Sequence, residues 1–184
     1  SGKKCDKRGT DGRPAFPGVD YTGPGVFSGR DHARPRGRRG APMGTVNEIL
    51  NAKGRDVWSV PPDWMFFDAL RLMAEKDVGA LVVMEGTKLT GLVTGRDYAR
   101  KIVLAGKSSR DTPVRDVMTT RVLCARADQT IEECMALMTD KRTRHLPILD
   151  HKHVIGLVSI GDLVKAVIRE QKFVIEQLQN YISG

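Results

Sequence analysis

The sequence has few aromatic residues (5%), only four histidines and three cysteines, and no long apolar run. Each shortage excludes something. Cys5, Cys124 and Cys134 are an odd number without metal-ligand spacing, so neither a disulfide framework nor a structural metal site is expected, and a reducing compartment suits the chain. His151 and His153 have no third ligand near them in sequence. No apolar stretch approaches the roughly 20 residues that a membrane-spanning helix needs, so a soluble protein is expected. Neither a Walker-type loop nor a nucleophile–base–orienter set is present, and the expectation is a non-enzymatic chain.

Charge is concentrated rather than spread. The chain carries +8, and residues 1–42, with 10 Lys+Arg against 4 Asp+Glu, hold +6 of it. The same segment contains nine Gly and five Pro, a density of breakers that no helical or strand periodicity survives and that precludes a packed core. By composition it is a disordered tail or linker. Its basic patch, Arg34, Arg36, Arg38 and Arg39, could meet phosphates. The aromatics Phe16, Tyr21 and Phe27 lie upstream among Gly and Pro, where they suit anchors in a protein groove better than platforms for stacked bases. The tail is therefore expected to bind protein. Nucleic acid is the weaker alternative, with an anionic membrane surface behind it.

Residues 43–184 hold an internal repeat. At a shift of 65, Asp56–Val103 aligns without a gap on Arg121–Ile168, and ten of the 48 pairs are identical. Among them are Asp63 with Asp128, Leu72-Met73 with Leu137-Met138, Gly91-Leu92-Val93 with Gly156-Leu157-Val158, and Asp97 with Asp162. Such self-similarity marks a duplicated supersecondary unit. Each copy predicts a short strand (Trp58–Val60, Leu123–Ala125), then an amphipathic helix with an inward stripe (Met65, Ala69, Leu72, Met73; Thr130, Cys134, Leu137, Met138). A strand (Ala80–Met84, Leu146–Leu149), a tight polar turn, a second strand (Leu89–Val93, Val154–Val158) and a second helix from near Gly95 or Ile160 complete the unit. The predicted fold class is α+β: two β-α-β-β-α units of about 50 residues that must share a core, since either alone would be marginal. The expected divisions are a tail at 1–42, a first repeat at 43–109 and a second repeat with a C-terminal helix at 110–184.

The strand-to-helix junctions read Gly91-Leu-Val-Thr-Gly-Arg-Asp97 and Gly156-Leu-Val-Ser-Ile-Gly-Asp162. Thr-x-x-Asp and Ser-x-x-Asp at a helix start are capping boxes by spacing. A helix N-terminus also suits a phosphate. Nearby cations are Arg96 and Arg100, with Lys101, in the first copy, and Arg142 and Arg144, with His145, in the second. The copies are unequal, because Gly161 and Lys165 stand where the first has Arg96 and Arg100.

The element order, the two junctions, Val78-Gly79-Ala80-Leu81-Val82-Val83 and Arg144-His145-Leu146-Pro147-Ile148 resemble CBS domains, over about 140 of the 184 residues. The resemblance implies a pseudo-two-fold pair and a regulatory module that binds an adenine nucleotide (AMP, ADP or ATP, in preference to S-adenosylmethionine) between the copies. It also implies that Thr94, Asp97, Ser159 and Asp162 contact ribose or phosphate, alongside the arginines, His145, Gly79 and Ala80. With its uneven cations the pair is expected to offer one good site and one weaker or empty one. The C-terminal stretch from Gly156 is similar to small stand-alone pairs of alphaproteobacteria and of plant mitochondria. A nucleus-encoded protein of the mitochondrial matrix side is then expected, or a cytoplasmic one if the chain is bacterial. Partnership through the tail implies a multi-subunit assembly, plausibly respiratory, in which the chain is either a sensor or a structural accessory subunit with vestigial ligand binding. A homodimer of the pair is compatible with the same reading.

Overall fold

The computed structural model describes residues 44–183. The expectations for Phe16, Tyr21, Phe27, Arg34, Arg36, Arg38 and Arg39 lie outside the described residues. Two three-stranded sheets form, one per repeat. The first has the order β1 (Ser59–Val60), β2 (Ala80–Glu85), β3 (Lys88–Thr94), and the second β4 (Ala125–Arg126), β5 (His145–Asp150), β6 (His153–Ser159). In each the short first strand runs parallel to the second, and the second and third make a hairpin. Register pairs Ala80 with Thr94 and His145 with Ser159, and both hairpins are irregular at the equivalent place, Val83/Met84 and Ile148/Leu149. The end of each third strand thus lies beside the start of the second, which is where the junction residues meet the Gly79-Ala80 and Arg144-His145 pairs.

The strands are apolar on both faces, and each face has a partner. In the first repeat Leu81, Val83 and Val93 pack on Phe66, Ala69 and Met73 of α2 (Phe66–Glu75). Ala80, Val82 and Leu92 join Leu149, Val154 and Leu157 of the other repeat in one cluster. The alternation of period two therefore divides each strand between its own helix and the neighbouring sheet.

The predicted helical stripes are right in all but their first member. Phe66, Ala69 and Met73, and in α4 (Ile131–Asp140) Ile131, Cys134 and Met138, are the buried residues. Leu72 and Leu137 are half-buried. Met65 and Thr130 are N-caps, and Met65 is 39% exposed. A cap residue has left the helical path, so its side chain cannot share the stripe. Thr130 closes a capping box with Glu133, at 3.1 Å in both directions. At α2 the loop carbonyls of Thr112 and Ser109 accept from Phe66 and Phe67 N–H instead.

The segment before each repeat packs on the other repeat. The buried Val46, Ile49 and Leu50 of α1 (Val46–Lys53) enter the core of the second, and Thr45 bridges to Thr130. Val114 and Val117, in and just after the 3-10 turn Val114–Asp116, enter the core of the first, and Pro113 bridges to Met65. The identical Gly91 and Gly156 make room for this exchange. A Cβ at Gly91 would lie 2.5 Å from Met118 Sδ, and one at Gly156 would lie 2.6 Å from Leu50 Cδ2.

The second helices differ. α3 (Gly95–Asp97) passes at once into a π-helical turn, Tyr98–Val103, whereas α5 (Ile160–Ser183) runs for 24 residues. Among the described residues no helix is long and apolar enough to cross a membrane.

Candidate functional site

Both junctions form the hydrogen bonds that their spacing implies. Thr94 Oγ1 accepts from the Asp97 amide at 3.3 Å, while the Asp97 carboxylate accepts from Thr94 N–H at 2.9 Å and from its hydroxyl at 2.7 Å. In the second repeat the corresponding Ser159–Asp162 distances are 3.2, 2.8 and 2.9 Å. Each box starts a helix directly at a strand end.

Each aspartate is also held by a lysine, but from different places. Lys101, one turn along the same helix, pairs with Asp97 Oδ1 at 2.8 Å and donates to the Val117 carbonyl at 2.5 Å. Ala166 occupies the equivalent position in the second repeat, and there Lys53, the last residue of α1, pairs with Asp162 Oδ2 at 2.8 Å and donates to the Leu157 carbonyl at 2.7 Å. Burial by itself raises the pKa of Asp162, but the bonds from Lys53 and from Ser159 outweigh it and hold the carboxyl below its ordinary range. His145, at the head of β5, is pushed below the usual histidine value, first by burial and further by Lys53 and Arg144, with Asp162 opposing. A Cβ at Gly79 would stand 3.5 Å from His145 Nε2, so the heads of β2 and β5 lie close together across the pair.

Beside the second junction opens a cleft of about 360 Å³, lined by Arg96, Met138, Thr139, Arg142, Thr143, Arg144 and Ile160. Arg96 comes from the first repeat and the others from the second. Arg142 sits at φ 52° just after α4, and the Ile160 amide donates to the Arg144 carbonyl at 2.9 Å, which ties the arginine turn to the helix start. Among the described residues none of the three guanidiniums forms a salt bridge, and all three are exposed. The positions related by the repeat are Gly161, Met73, Ala74, Asp77, Val78, Gly79 and Gly95. They hold one carboxylate and no cation. Asp77, the counterpart of Arg142, has the same backbone conformation, at φ 51°. The two gaps therefore share a backbone and differ in charge.

Of the candidate residues, the fold gathers Arg96, Arg142 and Arg144 around one cleft and places His145, Ser159 and Asp162 next to it. Thr94 and Asp97 form the other junction. Arg100 is exposed on the π-helical turn, away from the cleft lining, and Ala80 is buried in its strand. Thr139, Thr143 and Lys53 belong to the neighbourhood without any signal in the repeat alignment. Lys53 precedes the aligned stretch, and only the exchange of α1 brings it to Asp162, 109 positions away. Cys124 and Cys134 pack as expected of inert thiols. Burial pushes the first up to about 12 and, with Glu133 adding, the second up to about 11, so neither is a thiolate at neutral pH.

The family model for the CBS domain matches residues 46–104 and again 114–169. The mitochondrial CBS domain-containing protein CBSX3 of Arabidopsis thaliana is 36% identical over 174 residues, covering 88% of this chain and 84% of its own. The solved structure of a signal-transduction protein with CBS domains from Burkholderia ambifaria is 51% identical with a TM-score of 0.68, and spans 70% of this chain and 96% of that one. The CBS domain pair of MJ0100, in complex with 5′-methylthioadenosine and S-adenosyl-L-methionine, shares the fold at a TM-score of 0.63 and 20% identity, spanning 70% of this chain and 99% of that one. With both halves of the duplication matched separately, and the exchanged segment and junction box in place in each, the chain belongs to the CBS domain family as a tandem pair.

Proposed function

We propose that the chain is a non-catalytic regulatory module that binds an adenine nucleotide in the cleft beside the second junction. The single observation that carries this reading is the convergence of Arg96, Arg142 and Arg144, drawn from both repeats and unpaired among the described residues, on one cleft of about 360 Å³. Guanidiniums donate in a planar fork that matches phosphate oxygens. Asp162 Oδ1, which accepts no hydrogen bond from the described residues, is the acceptor for ribose hydroxyls, and the Ser159 box holds that carboxylate in place. The complex of the MJ0100 pair supports adenosine-containing ligands as the class. Three cations favour AMP, ADP or ATP over S-adenosylmethionine, which lacks phosphate and carries a sulfonium. Calorimetric titration with each nucleotide and with S-adenosylmethionine tests the proposal. Binding graded with phosphate number is expected. No heat and no thermal shift at millimolar nucleotide would leave a structural accessory subunit as the better reading.

The tail extends the proposal. We assign residues 1–42 to a protein partner, so that the module is tethered to a larger assembly on the matrix side of mitochondria. Support comes from the segment's composition, its three aromatic anchors and the mitochondrial relative. Deleting residues 1–42 should leave nucleotide affinity unchanged while releasing the chain from a high-mass band on native gels. Retention in that band rejects tethering by the tail.

A further inference from the structure

The two junction aspartates differ in which oxygen is left to a ligand. At Asp97, Oδ2 accepts from the Thr94 amide and hydroxyl while Oδ1 takes Lys101, so both oxygens are engaged, and the side chain is 12% exposed. At Asp162 the Ser159 amide, the Ser159 hydroxyl and Lys53 all donate to Oδ2, at 2.8, 2.9 and 2.8 Å. Oδ1 accepts nothing from the described residues, and the side chain is 24% exposed. The origin of the lysine makes the difference. Lys101 lies one turn along the helix that its aspartate caps, whereas Lys53 reaches Asp162 from α1. Leu50 of α1 sits over Gly156, and Lys53, three residues on and therefore on the same helix face, donates to the next carbonyl, that of Leu157, and to the carboxylate. Gly54, at φ 96°, ends the helix with its amide donating to the Leu50 carbonyl at 2.9 Å. Lys53 thus stands at the C-terminal end of α1, where the helix dipole favours a cation.

We propose that Lys53 is a positioning residue for the nucleotide site: by occupying Oδ2 from α1, it fixes the Asp162 carboxylate with Oδ1 open to the ribose hydroxyls. The inference rests on the nucleotide reading above and adds to it a residue outside both the cleft lining and the repeat alignment. A pair that served stability alone could use either oxygen, as Lys101 does with Oδ1 of Asp97. Here three donors share one oxygen. An ionised carboxylate accepts at both, so the arrangement is complete only when a donor from outside the described chain, water or a ribose hydroxyl, reaches Oδ1. The charges of Asp162, Lys53 and Arg144 all act on the His145 ring, so the lysine–aspartate pair lies close to the arginine turn and one ligand can meet both. Because α1 carries the lysine, a nucleotide held through Asp162 also favours the docked α1, and docking of α1 favours the nucleotide by the same factor.

Calorimetry of the full chain with ATP and with 2′,3′-dideoxy-ATP, which lacks both ribose hydroxyls, tests this. Wild type should bind ATP about tenfold more tightly than the dideoxy analogue, the scale of a hydrogen bond to a charged group. Lys53→Met keeps the length of the side chain and removes its charge and donors. Lys53 ends its helix at an exposed position, so the variant keeps the core. It should lose most of the preference for ATP, with a smaller loss for the analogue. Removal of a distant charge alone, or looser docking of α1 alone, would weaken both nucleotides by the same factor and keep the preference. Lys53→Arg, which retains a donor for Oδ2, should recover much of it. Failure of the wild type to bind ATP removes the nucleotide reading and this inference with it. ATP binding without a ribose preference in the wild type, or a preference unchanged in Lys53→Met, overturns the inference and leaves the nucleotide reading standing.

Discussion

The two repeats share a backbone and little of its chemistry. Their hairpins are irregular at equivalent positions, their helix ends take the same left-handed turn at Asp77 and Arg142, and their junction boxes agree within 0.2 Å. Yet three arginines line one gap, while the positions related to its lining by the repeat carry one aspartate and no cation. One second helix breaks into a π turn and the other runs on for 24 residues. Duplication preserved what the shared core requires, namely the exchange of preceding segments, the glycines beneath them and the capping boxes. Side chains that core packing does not restrain were free to diverge. Differences between equivalent positions therefore point to function more directly than similarities do.

The largest expected contrast lies in the exchange itself. Leu50 is fully buried over Gly156, whereas its counterpart Met118 over Gly91 keeps part of its surface in water. Leu50→Ala should cost about 2–5 kcal/mol, the range for a truncated core residue that leaves a cavity. Met118→Ala should cost clearly less, because a flexible, partly exposed neighbour leaves a space that water and side chains can fill. Urea unfolding of the two variants measures the difference, and an equal loss would show that the two sides lock the pair equally.

Ligand binding should split the repeats next. Arg144→Ala should weaken ATP binding by about 1.5–3 kcal/mol, the scale of a hydrogen bond to a charged group, and Asp162→Ala by a similar amount through the ribose. Asp97→Ala should leave affinity unchanged and lower stability by about 1 kcal/mol, as the loss of a helix cap does. Calorimetry and thermal unfolding on the same three variants separate these outcomes. Equal losses of affinity at Asp97 and Asp162 would mean two equivalent sites and would reject the charge asymmetry as the deciding feature.

Much of this was legible in the sequence because duplication and hydrophobic spacing are local. The shift of 65 located every strand to within two residues, and the Thr-x-x-Asp and Ser-x-x-Asp spacing predicted the capping geometry at 94–97 and 159–162. The slip of one residue at Met65 and Thr130 arose because a cap and the first stripe position are adjacent and periodicity alone cannot tell them apart. Which arginines share a cleft was not legible. Arg96 and Arg144 line one cleft because the two repeats pack together, and Arg100, equally promising by spacing, lies on a π-helical turn outside that lining, which no sequence signal announced. Lys53 was invisible for the same reason, since its partner is set by the exchange of α1 and not by any local pattern.

The smallest expected effect concerns pH and the head of β5, where His145 replaces the buried Ala80 of the first repeat. Burial first, and then Lys53 and Arg144, lower the folded-state pKa of His145 below the ordinary 6.5. The unfolded chain therefore takes up this proton at a higher pH than the folded one. Above about pH 6.5 the imidazole is neutral in both states and contributes no pH dependence. As pH falls through 6.5 the unfolded state is stabilised by protonation, so folding stability declines, and it levels off once the folded form protonates too. Asp162, whose carboxyl is also held low, adds a second loss of the same sign only below about 3.8, where the unfolded carboxylate begins to protonate first. Between these two windows the remaining dependence belongs to other groups and is common to all variants. His145→Ala, which makes the second strand head like the first, should therefore flatten the decline just below pH 6.5 and leave the acid limb intact. Thermal unfolding of wild type and variant from pH 8 down to about pH 3 reads both limbs directly. A variant whose profile follows the wild type through the histidine window would show that His145 titrates freely, and that the contact between the strand heads does not restrain it.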